Sequence, residues 1–352
     1  MSQARTRNEA DTRADFIDPK LMEAGWSKVE GSYIRRELIC PGQIIAGGKR
    51  TNKVPCDYVL IYKGRKLAAV EAKKESLPYS EGVRQAKDYA QRLQCRFGYA
   101  TNGHDIYQID MVTGIEMLVD DHLSPDELWA LTFEKPEESF TSVWRDAFSK
   151  IPFEAKGDWT PRYYQENAIH NALEAIAAGQ KRVLLTLATG TGKTCIAFQT
   201  AWKLFQTRWS LTAQTNPSAA KKRPRILFLA DRNVLANQAF NDFGSFGEDA
   251  IVRITPADIR KKGSVPKNAS VFFTIFHTLM CGPNSPADEV EDENGAISQS
   301  DNPYYEHYPA DFFDLIIIDE CHRGGANDES AWRDILNYFA PAVQLGLTAT
   351  PK

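Results

Sequence analysis

The spacing of hydrophobic positions along the chain changes near residue 160. Before that point short apolar runs are interspersed with polar ones, and after it fully apolar runs alternate with helical stretches. Short buried strands that alternate with crossover helices are typical of a parallel sheet covered on both faces. The sequence therefore predicts an α/β protein of two domains, a mixed-sheet unit at 1–150 and a parallel-sheet unit at 161–352, joined by a linker at 151–160.

The same spacing predicts the individual elements of both units. In the first unit we expect helices over Asn8–Trp26 and Ser80–Leu93, and strands over Tyr33–Ile39, Tyr58–Tyr62, Leu67–Val70, Phe97–Thr101 and Ile106–Met111. In the second unit we expect helices over Gln165–Ala178, Lys193–Phe205 and Val234–Phe240, and strands over Val183–Leu187, Ile226–Ala230, Val271–Ile275, Leu315–Asp319 and Gln344–Thr348.

Charge is distributed unevenly, although the formal net charge of the 352 residues is only −4. Residues 1–100 carry 19 basic and 12 acidic side chains, whereas residues 101–150 carry 3 and 11. A basic region attracts polyanions even on an acidic protein, so nucleic acid is not excluded as a partner. Solvated surface charge is the simpler interpretation of the same blocks. The acidic insert at 281–301 is expected to be a disordered loop.

Several classes of protein are disfavoured by composition. The sequence contains neither an apolar run of the ~20 residues that a membrane helix needs nor a secretory signal. Its six cysteines are scattered without a CxxC pair, which is typical of a reducing compartment and speaks against a zinc module or a disulfide framework. We therefore expect a cytoplasmic protein without membrane contacts.

A glycine-rich turn follows the first strand of the second unit and opens a helix. Backbone N–H groups in such a turn converge on phosphate oxygens, and the helix N-terminus adds partial positive charge. We expect Lys193 to reach the β and γ phosphates and Thr194 to bind Mg²⁺. Leu187 stands where the general pattern has glycine. The candidate phosphate-binding residues are Thr189, Gly190, Thr191, Gly192, Lys193 and Thr194.

A second group of polar residues follows the apolar strand that ends at Asp319. Asp319 is expected to hold Mg²⁺, and Glu320 to orient or deprotonate the attacking water. His322 is a candidate sensor of the γ-phosphate. Carboxylates at a strand end often only begin a loop, but the phosphate turn predicted for the same sheet favours the functional interpretation.

A charged cluster is predicted where two apolar strands of the first unit end. If residues 63–65 form a three-residue hairpin loop, Asp57 lies opposite Glu71, and Lys73 shares the face of Glu71. Two carboxylates can bind Mg²⁺, which activates water and neutralises a scissile phosphate, while Lys73 orients the nucleophile. Charges on an exposed hairpin are the alternative interpretation, although the apolar flanks predict a mostly buried one.

Three motifs of the second unit resemble motifs I, II and III of superfamily 2 helicases and translocases. They are ATGTGKT at 188–194, DECH at 319–322 and TAT at 348–350. The resemblance implies one RecA-like domain over 161–352 that binds ATP with Mg²⁺. It also implies that the second RecA-like domain of such motors is missing, so we expect a fragment that hydrolyses ATP poorly.

The same resemblance implies roles for residues around these motifs. Arg162 and Gln165 correspond to an upstream adenine-reading motif, with Gln165 as the adenine contact. Residues 231–238 resemble motif Ia, which contacts the DNA backbone, and residues 276–279 occupy the place of motif Ib. On the γ-phosphate side, the resemblance assigns His322, Thr348 and Thr350 to the nucleotide site.

The charged hairpin of the first unit resembles the core of PD-(D/E)xK nucleases, with Asp57 in the PD position and proline displaced to Pro55. Gln85 and Tyr89, one helical turn apart, resemble the QxxxY motif of the RecB-like branch and are expected to join the catalytic group. Glu9 resembles an additional metal-side acid of that family. An acid in a first helical turn also favours the helix dipole, which is the alternative for Glu9.

A PD-(D/E)xK domain ahead of a DECH motor resembles the R subunit of type I restriction–modification enzymes. The resemblance implies ATP-driven translocation and Mg²⁺-dependent cleavage of double-stranded DNA, mainly through backbone contacts, together with specificity and methyltransferase subunits as partners. Two alternatives stay open. One is a related nuclease–translocase, from DNA repair or another restriction class such as type III, and the other is a non-catalytic, ATP-responsive DNA-binding module.

Overall fold

The computed structural model describes residues 8–40, 53–133, 140–155, 160–283, 302–319 and 333–349. The chain forms two compact units, Met1–Glu137 and Glu138–Lys352. Helix α5 (Phe140–Lys150) belongs to the second unit, because Trp144 and Phe148 lie in its hydrophobic core. The boundary therefore precedes α5, whereas the sequence analysis put it at 150. Within the described ranges, no helix has the length and apolar character needed to cross a membrane.

The first unit is built on a mixed sheet of six strands in the order β1-β2-β3-β4-β5-β6. These are β1 (Ser32–Cys40), β2 (Val54–Tyr62), β3 (Arg65–Ala72), β4 (Phe97–Thr101), β5 (Ile106–Asp110) and β6 (Glu116–Val119). Neighbours pair antiparallel except β3 and β4, which are parallel. A parallel pair needs a crossover, and α3 (Ser80–Leu93) supplies it. The predicted strands are confirmed, and β6, which is short and exposed, was not predicted.

The predicted helix at the start of the chain consists of three segments. Helices α1 (Glu9–Thr12) and α2 (Asp18–Glu23) are joined by a π-helical turn, Arg13–Ile17. Pro19 lies in the first turn of α2, where its missing N–H is tolerated. Helix α4 (Pro125–Phe133), absent from the prediction, also contributes to the core of this unit.

The hairpin between β2 and β3 has a tighter turn than the sequence analysis expected. Its turn consists of Lys63 and Gly64, with φ values of 48° and 72°. Two consecutive positive φ values are typical of the two-residue turn that matches strand twist. A bulge between Leu60 and Ile61 then shifts the register by one residue. The predicted three-residue loop is wrong, but the bulge compensates for the missing residue.

The second unit contains a parallel sheet in the order β7-β12-β11-β8-β10-β9. Its strands are β7 (Arg182–Thr186), β8 (Ile226–Ala230), β9 (Ile251–Arg253), β10 (Val271–Ile275), β11 (Leu315–Asp319) and β12 (Val343–Thr348). Its helices include α5, α6 (Tyr163–Ala177), α7 (Lys193–Thr207), α8 (Leu211–Gln214), α9 (Asn233–Asp242), α10 (Pro256–Lys262) and α11 (Phe276–Met280). The predicted parallel α/β architecture is confirmed. The three-residue strand β9 is too short to give a periodic signal.

The segment that follows α5 is fastened to α7. Buried Lys203 donates hydrogen bonds to the carbonyl oxygens of Phe148, at 3.2 Å, and of Ile151, and burial lowers the pKa of its ammonium to about 8. Gln199 accepts from the N–H of Glu154 at 3.0 Å and donates to its carbonyl oxygen at 2.7 Å. The described part of the predicted linker at 151–160 is thus packed structure rather than a free tether.

Candidate functional site

Two carboxylates meet at the end of the β2–β3 hairpin. The register places Tyr58 opposite Val70, so Asp57 and Glu71 follow as neighbours across the two strands, as the sequence analysis expected. Both are buried, with 8% and 4% of their surface exposed, and the two carboxylates are close enough for each to shift the pKa of the other. Asp57 Oδ2 also accepts a hydrogen bond from the N–H of Ala72 at 2.7 Å.

Lys73 connects these carboxylates to helix α3. Its Nζ lies 2.7 Å from Glu71 Oε1 and 2.6 Å from Gln85 Oε1, so the structure brings three of the predicted residues into one hydrogen-bonded chain. Gly82 of α3 lies against this chain. A Cβ at Gly82 would be 3.2 Å from Glu71 Cγ and 3.5 Å from Lys73 Cε. This close approach favours glycine at position 82, for which the sequence contained no signal.

Tyr89 lies one turn beyond Gln85 on α3 and is buried. Burial raises the pKa of its hydroxyl, and the neighbouring Glu71 carboxylate raises it further. Tyr89 packs in the small core that also contains Cys56. Tyr89 therefore stays protonated within the electrostatic influence of Glu71, and its membership of the catalytic group stays a prediction.

Arg13 also belongs to this cluster, although the sequence predicted no role for it. Its Nη2 lies 2.5 Å from Asp57 Oδ1 and 2.8 Å from Glu9 Oε1. Glu9 is therefore linked to Asp57 through a guanidinium group. The only sequence signal of this link was the i, i+4 spacing of Glu9 and Arg13, which places the two side chains on one helix face. In the described ranges, no group of three or more His, Cys, Asp or Glu side chains is arranged to hold a metal ion.

Burial governs the electrostatics of the carboxylate pair. It raises the pKa of Glu71 to about 7, with Asp57 adding to the rise and the hydrogen bond from Lys73 opposing it. Burial also raises the pKa of Asp57, whereas the hydrogen bond from the N–H of Ala72 and the guanidinium of Arg13 lower it. Desolvated carboxylates that share a site in this way bind a divalent cation favourably, because the cation replaces the lost solvation.

The glycine-rich turn lies between β7 and α7 in the second unit. Gly190 and Gly192 have φ values of 75° and 81°, which favour glycine, and Thr191 Oγ1 donates to the carbonyl oxygen of Ala188 at 2.7 Å. Lys193 begins α7 and is buried, and Thr194 follows it. The turn therefore has the strand–turn–helix geometry that the sequence predicted.

Gln165 of α6 braces this turn. Its Nε2 donates to the carbonyl oxygen of Thr191 at 2.9 Å, and its Oε1 accepts from the N–H of Arg162 at 2.9 Å. A Cβ on Gly192 would be only 2.5 Å from Gln165 Nε2. Gln165 thus contacts the phosphate turn directly and Arg162 is hydrogen-bonded to Gln165, while their adenine-side role stays a prediction.

The strand order brings the remaining described residues to the same edge of the sheet. β12 lies between β7 and β11, and Asp319 of β11 is in register with Leu347. The N–H of Leu187 donates to the carbonyl oxygen of Thr348 at 2.8 Å, which joins the phosphate turn to β12. The predicted site residues Glu320, His322 and Thr350 lie outside the described residues, as does most of the insert at 281–301.

The segment predicted to contact DNA, residues 231–238, includes the start of α9, which begins at Asn233 after its N-cap Arg232. The guanidinium of Arg253 lies 2.8 Å from Asn233 Oδ1 and 3.0 Å from Asn237 Oδ1, and it also donates to the carbonyl oxygen of Phe273 at 2.9 Å. Arg253 thereby fixes this helix on strand β10. The segment 276–279 lies within α11, and both segments follow strands that end at the edge where Asp319 lies.

Two family models match the chain. Residues 158–352 match the family described as Type III restriction enzyme, res subunit. Residues 33–119 match the family described as Type I restriction enzyme R protein N terminus. The first match covers more than half of the chain.

Individual relatives extend across both units. The chain is 35% identical, over an alignment of 356 residues that covers 98% of this chain, to the type I restriction enzyme EcoAI endonuclease subunit of Escherichia coli. It is 28% identical, over an alignment of 313 residues that covers 79% of this chain, to the type I restriction enzyme EcoKI endonuclease subunit of E. coli strain K12. Its fold matches, with a TM-score of 0.70 and 35% identity, a fragment described as an HsdR subunit of a type I restriction enzyme from Vibrio vulnificus YJ016, over 99% of this chain and 56% of that one.

These matches mean that the chain belongs to the family of restriction-enzyme R subunits, of type I. The predicted family is confirmed. The type III description applies to residues 158–352 alone, and the relatives that extend into the first unit are of type I, which argues against the repair and type III alternatives. The chain spans 39% and 23% of the length of the two E. coli relatives.

Proposed function

We propose that the first unit is a PD-(D/E)xK endonuclease domain that cleaves double-stranded DNA. The observation that carries this proposal is the cluster in which Asp57 lies across the hairpin from Glu71, and Lys73 bridges Glu71 to Gln85. Four polar side chains from two strands and a helix converge at one sheet end, in a chain whose family comprises restriction-enzyme subunits. Ionisable groups with shifted pKa values that meet in this way are typical of functional sites.

The donor set fits Mg²⁺, because carboxylate oxygens are its preferred protein ligands and two of them leave positions for water and phosphate. Asp57 Oδ1 and the Glu71 carboxylate would hold the ion, with Glu9 as a further oxygen donor nearby. Mg²⁺, when bound, supplies an activated water and neutralises charge on the scissile phosphate. Lys73 orients the nucleophile, and Gln85 holds the Lys73 ammonium in place.

We further propose that the second unit is a RecA-like ATPase domain. The backbone of residues 189–192 cradles the phosphates, Lys193 compensates their charge, and Thr194 with Asp319 would hold Mg²⁺. Gln165 and Arg162 border the adenine side, and Thr348, Glu320, His322 and Thr350 complete the γ-phosphate side. The working enzyme is cytoplasmic and uses ATP hydrolysis to pull double-stranded DNA, together with specificity and methyltransferase subunits.

The decisive test compares three variants in the complete restriction complex. Asp57→Ala and Lys73→Ala are expected to abolish DNA cleavage, by about 1,000-fold or more, while DNA-stimulated ATP hydrolysis survives. Lys193→Ala is expected to abolish both ATP hydrolysis and cleavage. Lys74→Ala is the matched control, because Lys74 is the exposed neighbour of Lys73 and should retain both activities.

The outcomes separate the proposals from one another. Cleavage that persists in Asp57→Ala would end the endonuclease assignment, and ATP hydrolysis that persists in Lys193→Ala would end the ATPase assignment. If the wild-type complex binds DNA and ATP but neither cleaves the DNA nor hydrolyses the ATP, the non-catalytic alternative is supported.

A further inference from the structure

Arg13 occupies a position that the proposed function does not explain. It begins the π-helical turn, in which the N–H of Asp18 donates to the carbonyl oxygen of Arg13, five residues back. Its side chain is 22% exposed and contacts Asp57 and Glu9, with Glu37 Oε1 at 3.6 Å from Nη1. Single π-helical turns occur frequently at functional sites, because the widened turn re-aims one side chain.

The contact with Asp57 involves the carboxylate oxygen that is not hydrogen-bonded to the backbone of β3. Asp57 Oδ2 accepts the N–H of Ala72, whereas Oδ1 accepts the Arg13 guanidinium at 2.5 Å. On the other carboxylate, Glu71 Oε1 accepts Lys73. Each carboxylate of the pair therefore already has a cation of the protein beside it. A divalent ion on Asp57 Oδ1 has to compete with the guanidinium for the same lone pairs.

The turn that carries Arg13 is anchored independently of these ion pairs. Buried Thr12 accepts a hydrogen bond from the N–H of Glu75 through its Oγ1, at 3.1 Å. Phe16 packs so closely on Gly103 that a Cβ there would be 2.7 Å from Phe16 Cβ. Glu75 and Gly103 follow strands β3 and β4, so the framework that carries Glu71 also holds the backbone of Arg13 in place.

We propose that Arg13 is a positioning residue that acts as the counter-cation of Asp57 until a divalent metal binds, and thereby sets the metal affinity of the site. The inference rests on the proposed metal site. In the metal-free protein the guanidinium holds Asp57 and Glu9 together, and on binding the metal displaces it from Oδ1. Because a guanidinium and a divalent ion repel at this range, Arg13 weakens metal binding and keeps the empty site folded.

The test measures metal binding and stability without DNA or ATP, so it does not depend on activity. Mg²⁺ and Mn²⁺ are titrated calorimetrically into the purified protein, and thermal unfolding is followed in chelator and in saturating metal. Arg13→Gln is expected to bind metal about tenfold more tightly, since one competing charge is lost. Its melting temperature is expected to fall in chelator and to recover largely in metal.

Arg36→Gln is the matched control, because Arg36 makes a similar 2.8 Å ion pair with Asp18 in the same unit and does not contact Asp57. It should change neither metal affinity nor the recovery by metal. Arg13→Lys keeps the charge but loses the planar fork, so its affinity should fall between those of wild type and Arg13→Gln. Arg13→Lys also serves as the test if Arg13→Gln fails to fold.

Unchanged or weaker metal binding in Arg13→Gln, or in Arg13→Lys if only that variant folds, would overturn the inference and leave Arg13 as a structural ion pair. Asp57→Asn distinguishes this result from failure of the proposed site itself. If Asp57→Asn abolishes binding while the Arg13 variants do not alter it, only the counter-cation role is wrong. If Asp57→Asn binds metal as wild type does, the metal site is wrong, and the inference falls with it.

Discussion

The candidate site of the first unit consists of charged side chains, whereas that of the second unit consists mostly of backbone. In the first unit, ionised side chains hold one another: Lys73 neutralises Glu71, and Arg13 neutralises Asp57. In the second unit, the phosphate turn is mostly backbone, shaped by two glycines and braced by the Gln165 amide. A side-chain site responds to changes of charge, whereas a backbone site responds to the addition of a single Cβ.

The two sites also differ in how far apart in the sequence the residues that meet in them lie. The hairpin brings Asp57 and Glu71 together across a short turn, and Arg13 joins them from a helix at the start of the chain. The second site needs the parallel sheet, which brings Leu187 beside Thr348. Substitutions that test the difference should therefore act within one unit and leave the other intact.

Among substitutions that leave the charged and catalytic side chains in place, the largest effect is expected from a methyl group in the phosphate turn. Gly192→Ala should lower ATP hydrolysis by about 100-fold, because alanine is strained at φ 81° and its Cβ, 2.5 Å from Gln165 Nε2, would push away the amide that braces the turn. Gly190→Ala carries a similar φ penalty without a neighbour within 4 Å and should have a smaller effect. ATPase rates and nucleotide affinity in the complete enzyme measure both. Equal losses in the two variants would mean that backbone strain, not the contact with Gln165, is decisive.

A methyl group added at Gly82 applies the same kind of test to the candidate site of the first unit. Gly82→Ala should lower DNA cleavage by about tenfold, since the new Cβ pushes on Glu71 Cγ and Lys73 Cε, while ATP hydrolysis is unchanged. Glu81→Ala, at the exposed neighbouring position of α3, should leave cleavage intact. Supercoiled-plasmid cleavage and ATPase assays on the same preparation measure the pair. Unaffected cleavage in Gly82→Ala would show that the lysine and carboxylate tolerate displacement.

A smaller, pH-dependent effect is expected from His122 in the first unit. Its ring is 4% exposed and packs edge-on against Tyr99, and burial lowers its pKa to about 3. Below pH ~6.5 the unfolded chain binds a proton that the folded unit does not, so stability falls as pH falls, by up to about 1.4 kcal/mol per pH unit from this group.

His122→Phe keeps an aromatic ring against Tyr99 and should remove this part of the acid sensitivity. Denaturant unfolding of both proteins at pH 7.5 and pH 5 measures the difference, and His104→Gln, at a more exposed histidine, is the control. Parallel pH dependences of wild type and His122→Phe would contradict the buried neutral histidine. The phosphate turn of the second unit contains no comparable buried histidine within the described residues.

Local patterns were sufficient to predict much of the fold and part of the site. Apolar runs predicted the main strands of both sheets, and pairing across the hairpin predicted the Asp57–Glu71 contact. The prediction of that contact assumed a three-residue loop, and it holds because a bulge offsets the shorter turn. The position of a bulge depends on packing of both faces, which a one-dimensional pattern does not record.

Other features depend on contacts between distant residues and left no local signal. Arg13 contacts Asp57 only because the π-helical turn and Gly103 bring the helix to the sheet. The assignment of α5 to the second unit depends on Trp144 and Phe148 meeting a core formed much later in the chain. The short elements β6 and β9 have too few residues for a period to emerge.

The attachment of the segment after α5 determines where the protein can be divided. A recombinant second unit that starts at residue 160 would expose the core surface left by Trp144 and Phe148. It would also remove the carbonyl acceptors of Lys203, so the hydrogen bonds between this ammonium and residues 148 and 151 would be lost. A soluble second unit should therefore begin ahead of Phe140, and proteases should spare the peptide bonds between Phe148 and Glu154.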